Sequence, residues 1–144
     1  MSDEIELSEK LSSLIDDALH VGIEDIEDGG PLIPFVFAET GDERALARSI
    51  VPTGNDEWDL GASVEQARNS ARARPQGADR VAIIYDARID DKDGNKVDAL
   101  IAEVFETDLP ATLTLVLPYR PAGHADGFDI LGEVELVEQS DPMW

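Results

Sequence analysis

RVAIIYDARIDDKDGNKVDALIAEVFETDLPATLTLVLPY, residues 80–119, is the stretch whose reading decides the fold. Val81, Ile83, Tyr85, Ala87 and Ile89 occupy every second position. In an extended chain, alternate side chains share one face. The other face (Arg80, Ala82, Ile84, Asp86, Arg88) is mixed, which predicts one buried side and one partly wet side. A helix would scatter this alternation, and β-branched Val and Ile suit a pleated surface better.

The polar run Asp90 to Lys96 follows, with Asp93-Gly94 and Gly94-Asn95 at its centre. Both dipeptides tolerate the positive φ that tight hairpin turns demand. Val97 to Glu106 then reads as the return strand, apolar on both faces as if covered on each side. Thr107-Asp108-Leu109-Pro110 makes the next turn, and Leu113, Leu115, Leu117 and Tyr119 alternate in a third strand.

Outward from this meander, residues 5–20 place Leu7, Leu11, Leu14, Ile15, Ala18 and Leu19 at helical spacing. Asp3, Glu4 and Glu6 suit the positive end of that helix, Gly22 is a possible break, and Gly29-Gly30-Pro31 ends it. Pro31 to Ala38 reads as a first strand, which Pro34 assigns to an edge or a bulge. Arg44 to Val51 reads as a second strand. Trp58, in the loop 52–61, is expected to plug one end of the core.

A second helix is expected from Ser63 to Ala73, with Ser63 and Gln66 as a capping box. Phe128 to Glu138 completes the chain as a last strand, with Ile130, Gly132, Val134 and Leu136 on one face. The order is α-β-β-α-β-β-β-β. It predicts an α+β domain: a mostly antiparallel sheet of five or six strands with two helices packed on one face. At 144 residues the chain is expected to form a single domain, 1–144.

The charge is unusual: 11 basic residues against 32 acidic ones, net −21. Residues 1–43 carry net −12, residues 44–74 net +1 and residues 75–144 net −10. Such a field repels phosphate backbones and anionic lipid, so neither nucleic acid nor membrane is an expected partner. No cysteine is present, which excludes disulfides and thiol catalysis. The acidic start, MSDEIELSEK, lacks the basic and apolar regions of a secretory signal, so a cytoplasmic location is expected.

Asp90–Asn95 fails as an EF-hand, because Ile89 and Leu100 would occupy its first and last ligand positions. Neither a GxSxG nor an HExxH motif is present, nor a phosphate-cradling glycine loop. No cofactor, metal site or catalytic residue is expected. Arg44, Arg48, Arg68 and Arg72 form the only basic grouping and are expected to pair with surplus carboxylates. Tyr85, Tyr119, Arg120, His124 and Asp126 are the candidate ligand-binding residues: a histidine with a carboxylate can move protons, and an arginine can hold an anion.

Two functions are compatible with these features. One is an acidic protein–protein interaction module, chaperone-like or immunity-like and homodimeric. The other is a small-ligand binder or enzyme whose pocket lies between sheet and helices.

Overall fold

The computed structural model describes residues 7–29, 31–54, 57–91 and 93–144. The expected helix-start acids Asp3, Glu4 and Glu6 lie outside these residues, as do Gly30 and Lys92. Helix α1 runs Glu9–Ile26, strands β1 Phe35–Thr40 and β2 Glu43–Arg48, and a small hairpin pairs β3 Pro52–Gly54 with β4 Glu57–Trp58. Helix α2 spans Leu60–Arg72. The meander follows as β5 Arg80–Asp90, β6 Lys96–Glu106 and β7 Thr112–Arg120, and the chain ends in β8 Asp129–Ile130 and β9 Glu135–Ser140. The architecture is α+β, and the sheet order is β2-β1-β5-β6-β7, with β8 and β9 both pairing the outer side of β7. Every pairing is antiparallel.

The helices lie on opposite faces of the sheet, not together on one. Leu11, Leu14, Ile15, Ala18 and Leu19 of α1 pack on Phe35, Ala82, Ile84, Leu100, Ala102, Val104 and Leu113. Ala67 and Ala71 of α2 pack on Val36, Ala38, Val81, Ile83 and Phe105, the alternate positions of the same strands. The cause is in β5 and β6. Both bury consecutive residues, Val81–Ile84 in β5 and Ala99–Phe105 in β6, so a cover on one side alone would leave the other wet. The mixed face expected for β5 is therefore buried where Ala82 and Ile84 meet α1, and only its far end, Asp86 and Arg88, reaches solvent.

Ser8 caps α1, accepting the Leu11 N–H at 3.0 Å, and Gly22 does not break the helix. A Cβ at Gly22 would stand 3.2 Å from Ile84, so glycine there lets the helix lie close on the sheet. The cap of α2 is Asp59, which accepts the Ala62 N–H at 2.7 Å. Ser63 is instead inside the helix, where its hydroxyl accepts the Val51 N–H at 2.9 Å. Pro34 precedes β1 rather than interrupting it, and β1 lies between β2 and β5. The last strand is not continuous but breaks between Ile130 and Glu135.

Trp58 is half-buried on the small hairpin and belongs to none of the core clusters. The aromatic plug is Trp144, edge-on to Phe105 at 4.9 Å, under the Arg74 guanidinium and donating to Thr107 Oγ1 at 2.9 Å. Among the described residues, no helix is long and apolar enough to cross a membrane.

A chain of alternating charges ties α1 to one end of the sheet. Ser8 donates to Glu106 at 2.8 Å, and Arg80 donates to Glu106 at 2.9 Å and also to Glu39. Arg44 completes it, donating to Glu39 at 2.5 Å and to Asp17 of α1. Arg80 and Glu39 are only 7% and 5% exposed, so removing the guanidinium strands buried carboxylates. Arg80→Met is therefore expected to cost about 3–5 kcal/mol of unfolding free energy, measured by urea titration. A loss comparable to that of an exposed pair, under about 1 kcal/mol, would show that the chain of charges holds nothing.

Candidate functional site

The α2 face of the sheet is only partly covered. Helix α2 spans thirteen residues and lies over β1 and β5. Beyond it, Ala99, Ile101 and Val116 form a separate apolar cluster with Tyr85, Ala87 and Ile89, and no helical residue joins them. This strip runs into a hollow of about 500 Å³ at the β5–β6 hairpin end. Its apolar lining is Ile89, Val97, Val116, Pro118, Leu131 and Val137. Asp90, Asp91, Asp93, Glu133 and Glu135 complete it, and no described basic residue lines it.

Local chemistry builds both walls. On one side the hairpin tip is held by Asp91, whose Oδ1 accepts the N–H groups of Asp93 at 2.8 Å and Asn95 at 2.9 Å. Gly94 takes the positive φ (79°) that the turn requires. Lys96 pairs with Asp90 at 2.8 Å across the base of this hairpin. On the other side, Leu131 donates its N–H to the Pro118 carbonyl at 3.0 Å, and the strand then breaks around Gly132. Thr114 pairs with Glu138 and Leu115 with Leu136, leaving Val137 as the extra residue of a bulge. A bulge re-aims side chains, and Val137 is 57% exposed at the hollow.

The five candidate residues read from the sequence do not come together. Tyr85 lies on the α2 face, where its hydroxyl donates to Glu103 at 2.5 Å. Arg68 also holds Glu103, at 2.7 Å and 2.9 Å, and its guanidinium lies 5.8 Å from the Tyr85 ring centroid. Burial and the Glu103 carboxylate push the Tyr85 phenol well above its ordinary value, so it stays a proton-bearing donor. The same carboxylate raises the Arg68 guanidinium further still.

Tyr119 lies on the opposite, α1 face, beside Phe128 and donating to Asp86 Oδ1 at 2.7 Å. Burial and Asp86 raise this phenol in the same way. Arg120, His124 and Asp126 do share one loop, but they hold it closed. Arg120 donates to the carbonyls of Gly127 at 2.7 Å and Asp126 at 3.3 Å, and His124 Nδ1 accepts the Asp126 N–H at 3.1 Å. The four basic residues expected as a group are likewise divided. Arg44 and Arg48 pair with Glu39, Asp17 and Asp25, Arg68 pairs with Glu103 and Glu65, and Arg72 is exposed.

Sequence reading missed the hollow because Phe128–Glu138 looks like one alternating strand, with Glu133 and Glu135 on its wet face. The available signal was Gly132, since a glycine inside a strand pattern often marks a bulge or break. Among the described residues, no group of three or more His, Asp or Glu side chains could hold a metal ion. The hollow suits something apolar with positive charge at its margins. No protein-family model, curated protein or solved structure matches this chain.

On the α1 face, Asp86 beside Tyr119 carries a pH signature. Burial first, and the nearby Asp98 charge, hold its carboxyl above the ordinary value despite the Tyr119 hydrogen bond. A carboxyl raised on folding contributes stability at pH values below its unfolded value, about 4, and loses it as pH rises through its folded value. Asp86→Asn keeps an acceptor for Tyr119 and removes the charge. Its melting temperature is expected to exceed that of the wild type at neutral pH, with the gap closing in acid. Thermal melts across this range check it, and a variant less stable at neutral pH would contradict the sign.

Proposed function

We propose that this protein is a protein-interaction module, acting in the cytoplasm in a chaperone-like or immunity-like manner. It takes a basic, amphipathic segment of a partner protein into the acid-rimmed hollow. The observation that carries this reading is the joint character of the hollow: six apolar side chains with five carboxylates, of which only Asp90 pairs with a described cation, Lys96. Exposed apolar surface rimmed by polar groups is what interaction sites look like on otherwise well-covered proteins. Leu131 and Val137, which line the hollow, are each more than two-fifths exposed. The net charge of −21 adds long-range attraction for a basic segment, which speeds encounter, while the apolar lining supplies retention.

The alternative reading, a ligand pocket shared by Tyr85, Tyr119, Arg120 and His124, has no such support, because its two tyrosines occupy opposite faces. Nor does any phenol in it act as a base, since both are held protonated by burial and a carboxylate.

Nonspecific attraction to an acidic protein must be separated from use of the hollow. Fluorescence anisotropy with a short peptide of alternating lysine and leucine tests this, together with three variants. Glu135→Lys and the double change Leu131→Ser, Val137→Ser are each expected to weaken binding about tenfold or more, about 1.4 kcal/mol. Asp42→Lys alters net charge as much as Glu135→Lys but at a fully exposed turn remote from the hollow, and is expected to leave affinity nearly unchanged. Equal losses in Asp42→Lys and Glu135→Lys, with none in the serine variant, would mean that charge alone attracts the peptide.

A further inference from the structure

The sheet ends in two open edges, β2 on one side and the β8–β9 segment on the other. An open edge presents unpaired backbone donors and acceptors, and proteins that must stay apart guard it with lysine, proline or a bulge. The β8–β9 edge has such guards: a break, a bulge and the carboxylates Glu133, Glu135 and Glu138. The β2 edge has no break, bulge, lysine or proline, and its one carboxylate, Glu43, stands at its first position. Its sequence is Glu-Arg-Ala-Leu-Ala-Arg, its pairing with β1 is unbroken from Glu43 to Arg48, and all six residues are exposed.

Its two arginines do not guard it either, because both turn back over their own sheet. The Arg44 guanidinium lies 5.6 Å from the Phe37 ring centroid and pairs with Glu39 and Asp17. The Arg48 guanidinium lies 5.2 Å from the Phe35 ring centroid and pairs with Asp25 at 2.8 Å. On the other face, Ala45 and Ala47 border a second hollow of about 410 Å³, with Val36, Ala38, Ala73 and Pro75 among its lining. Leu46 is 42% exposed between them.

We propose that β2 pairs antiparallel with β2 of a second copy of this chain, joining two sheets into one. Charge selects this occupant. A chain of net −21 repels its own copy almost everywhere, and the exception is the near-neutral segment 44–74, net +1, which holds all of β2 but Glu43. Self-pairing at β9 would instead gather two sets of Glu133, Glu135 and Glu138 in one seam. A twofold axis perpendicular to the sheet keeps each face on its own side, so residues of equal parity meet across β2. Centred on Ala45, the pairing sets Arg44 across from Leu46 and brings Asp42 toward Arg48 of the second copy. Centred on Leu46, it would oppose Arg44 and Arg48, and like charges directly opposite are destabilising.

Sedimentation velocity on the full chain tests this. A dimer is expected from about 10 µM upward, and it strengthens between about 0.15 M and about 0.5 M salt, because screening relieves the repulsion of two acidic bodies. Leu46→Lys and Leu46→Pro are each expected to return the protein to monomer, with circular dichroism reporting that the fold is kept. Val137→Lys, on the other edge, is expected to leave the dimer intact. A wild-type protein that stays monomeric throughout overturns the proposal. So does a dimer that survives both Leu46 variants, or one that dissociates with Val137→Lys alone.

Discussion

The structure depends on two neighbouring strands that are apolar on both faces. Val81 to Ile84 of β5 and Leu100 to Phe105 of β6 bury consecutive residues, not alternate ones, so each face of the sheet centre needs its own cover. Helix α1 meets the large side chains of one face, with Leu11 and Leu14 fully buried against it. Helix α2 meets the other through alanines and Val64, close packing that suits a short helix. A thirteen-residue helix is only about 20 Å long, so it cannot also roof β7 and β9. That Ala99, Ile101 and Val116 are buried without an apolar helical residue over them, and that a hollow opens at the end of this strip, are consequences of that mismatch in length.

Most of the fold was legible because period-two patterning fixes extended chain wherever it is sustained. The meander was readable to within a residue or two at each end, since Asp93-Gly94 and Asp108-Leu109-Pro110 mark its turns chemically. The faces were harder. Strand β5 alternates visibly at Val81, Ile83 and Tyr85, but the residues between are also apolar. Periodicity alone could not say that both sets need helices. Capping was misread for a similar reason: Asp59 and Ser63 both offer a short oxygen to an amide, and only the path of the chain from Val51 decides which one caps.

The candidate site failed on parity. Register carries Tyr85 across to Ile101 and then to Val116, whereas Tyr119 lies opposite Asp98 and reaches back to Asp86. Which face Tyr119 takes is set by the five residues, Thr107 to Ala111, that join β6 to β7. One residue more or fewer would shift that register by one and bring the two tyrosines onto one face. Asp108, at φ 74°, shows how specific this turn is. Nothing in strand patterning reports such a length dependence, so two correct strand assignments still gave a wrong pocket.

The fold uses the few cations of this acidic chain to tie its elements together, and the net charge of −21 rests on the carboxylates left over. Arg80 is buried between Glu39 and Glu106, Arg44 and Arg48 brace β2 against α1, and Arg68 anchors Glu103 under α2. These are arginines and not lysines for a physical reason. A planar fork can reach two carboxylates or a carboxylate and a carbonyl at once, and so it can span elements that a single ammonium would link only singly. The same use of arginine divides the two sheet edges. At β2 it pairs with carboxylates of other elements, whereas at the β8–β9 edge Arg120 holds its own loop and pairs with Asp129 alone. Glu133, Glu135 and Glu138 therefore have no described ion-pair partner beside the apolar side chains of that edge. On the proposed reading, a basic and apolar segment of a partner would cover this combination.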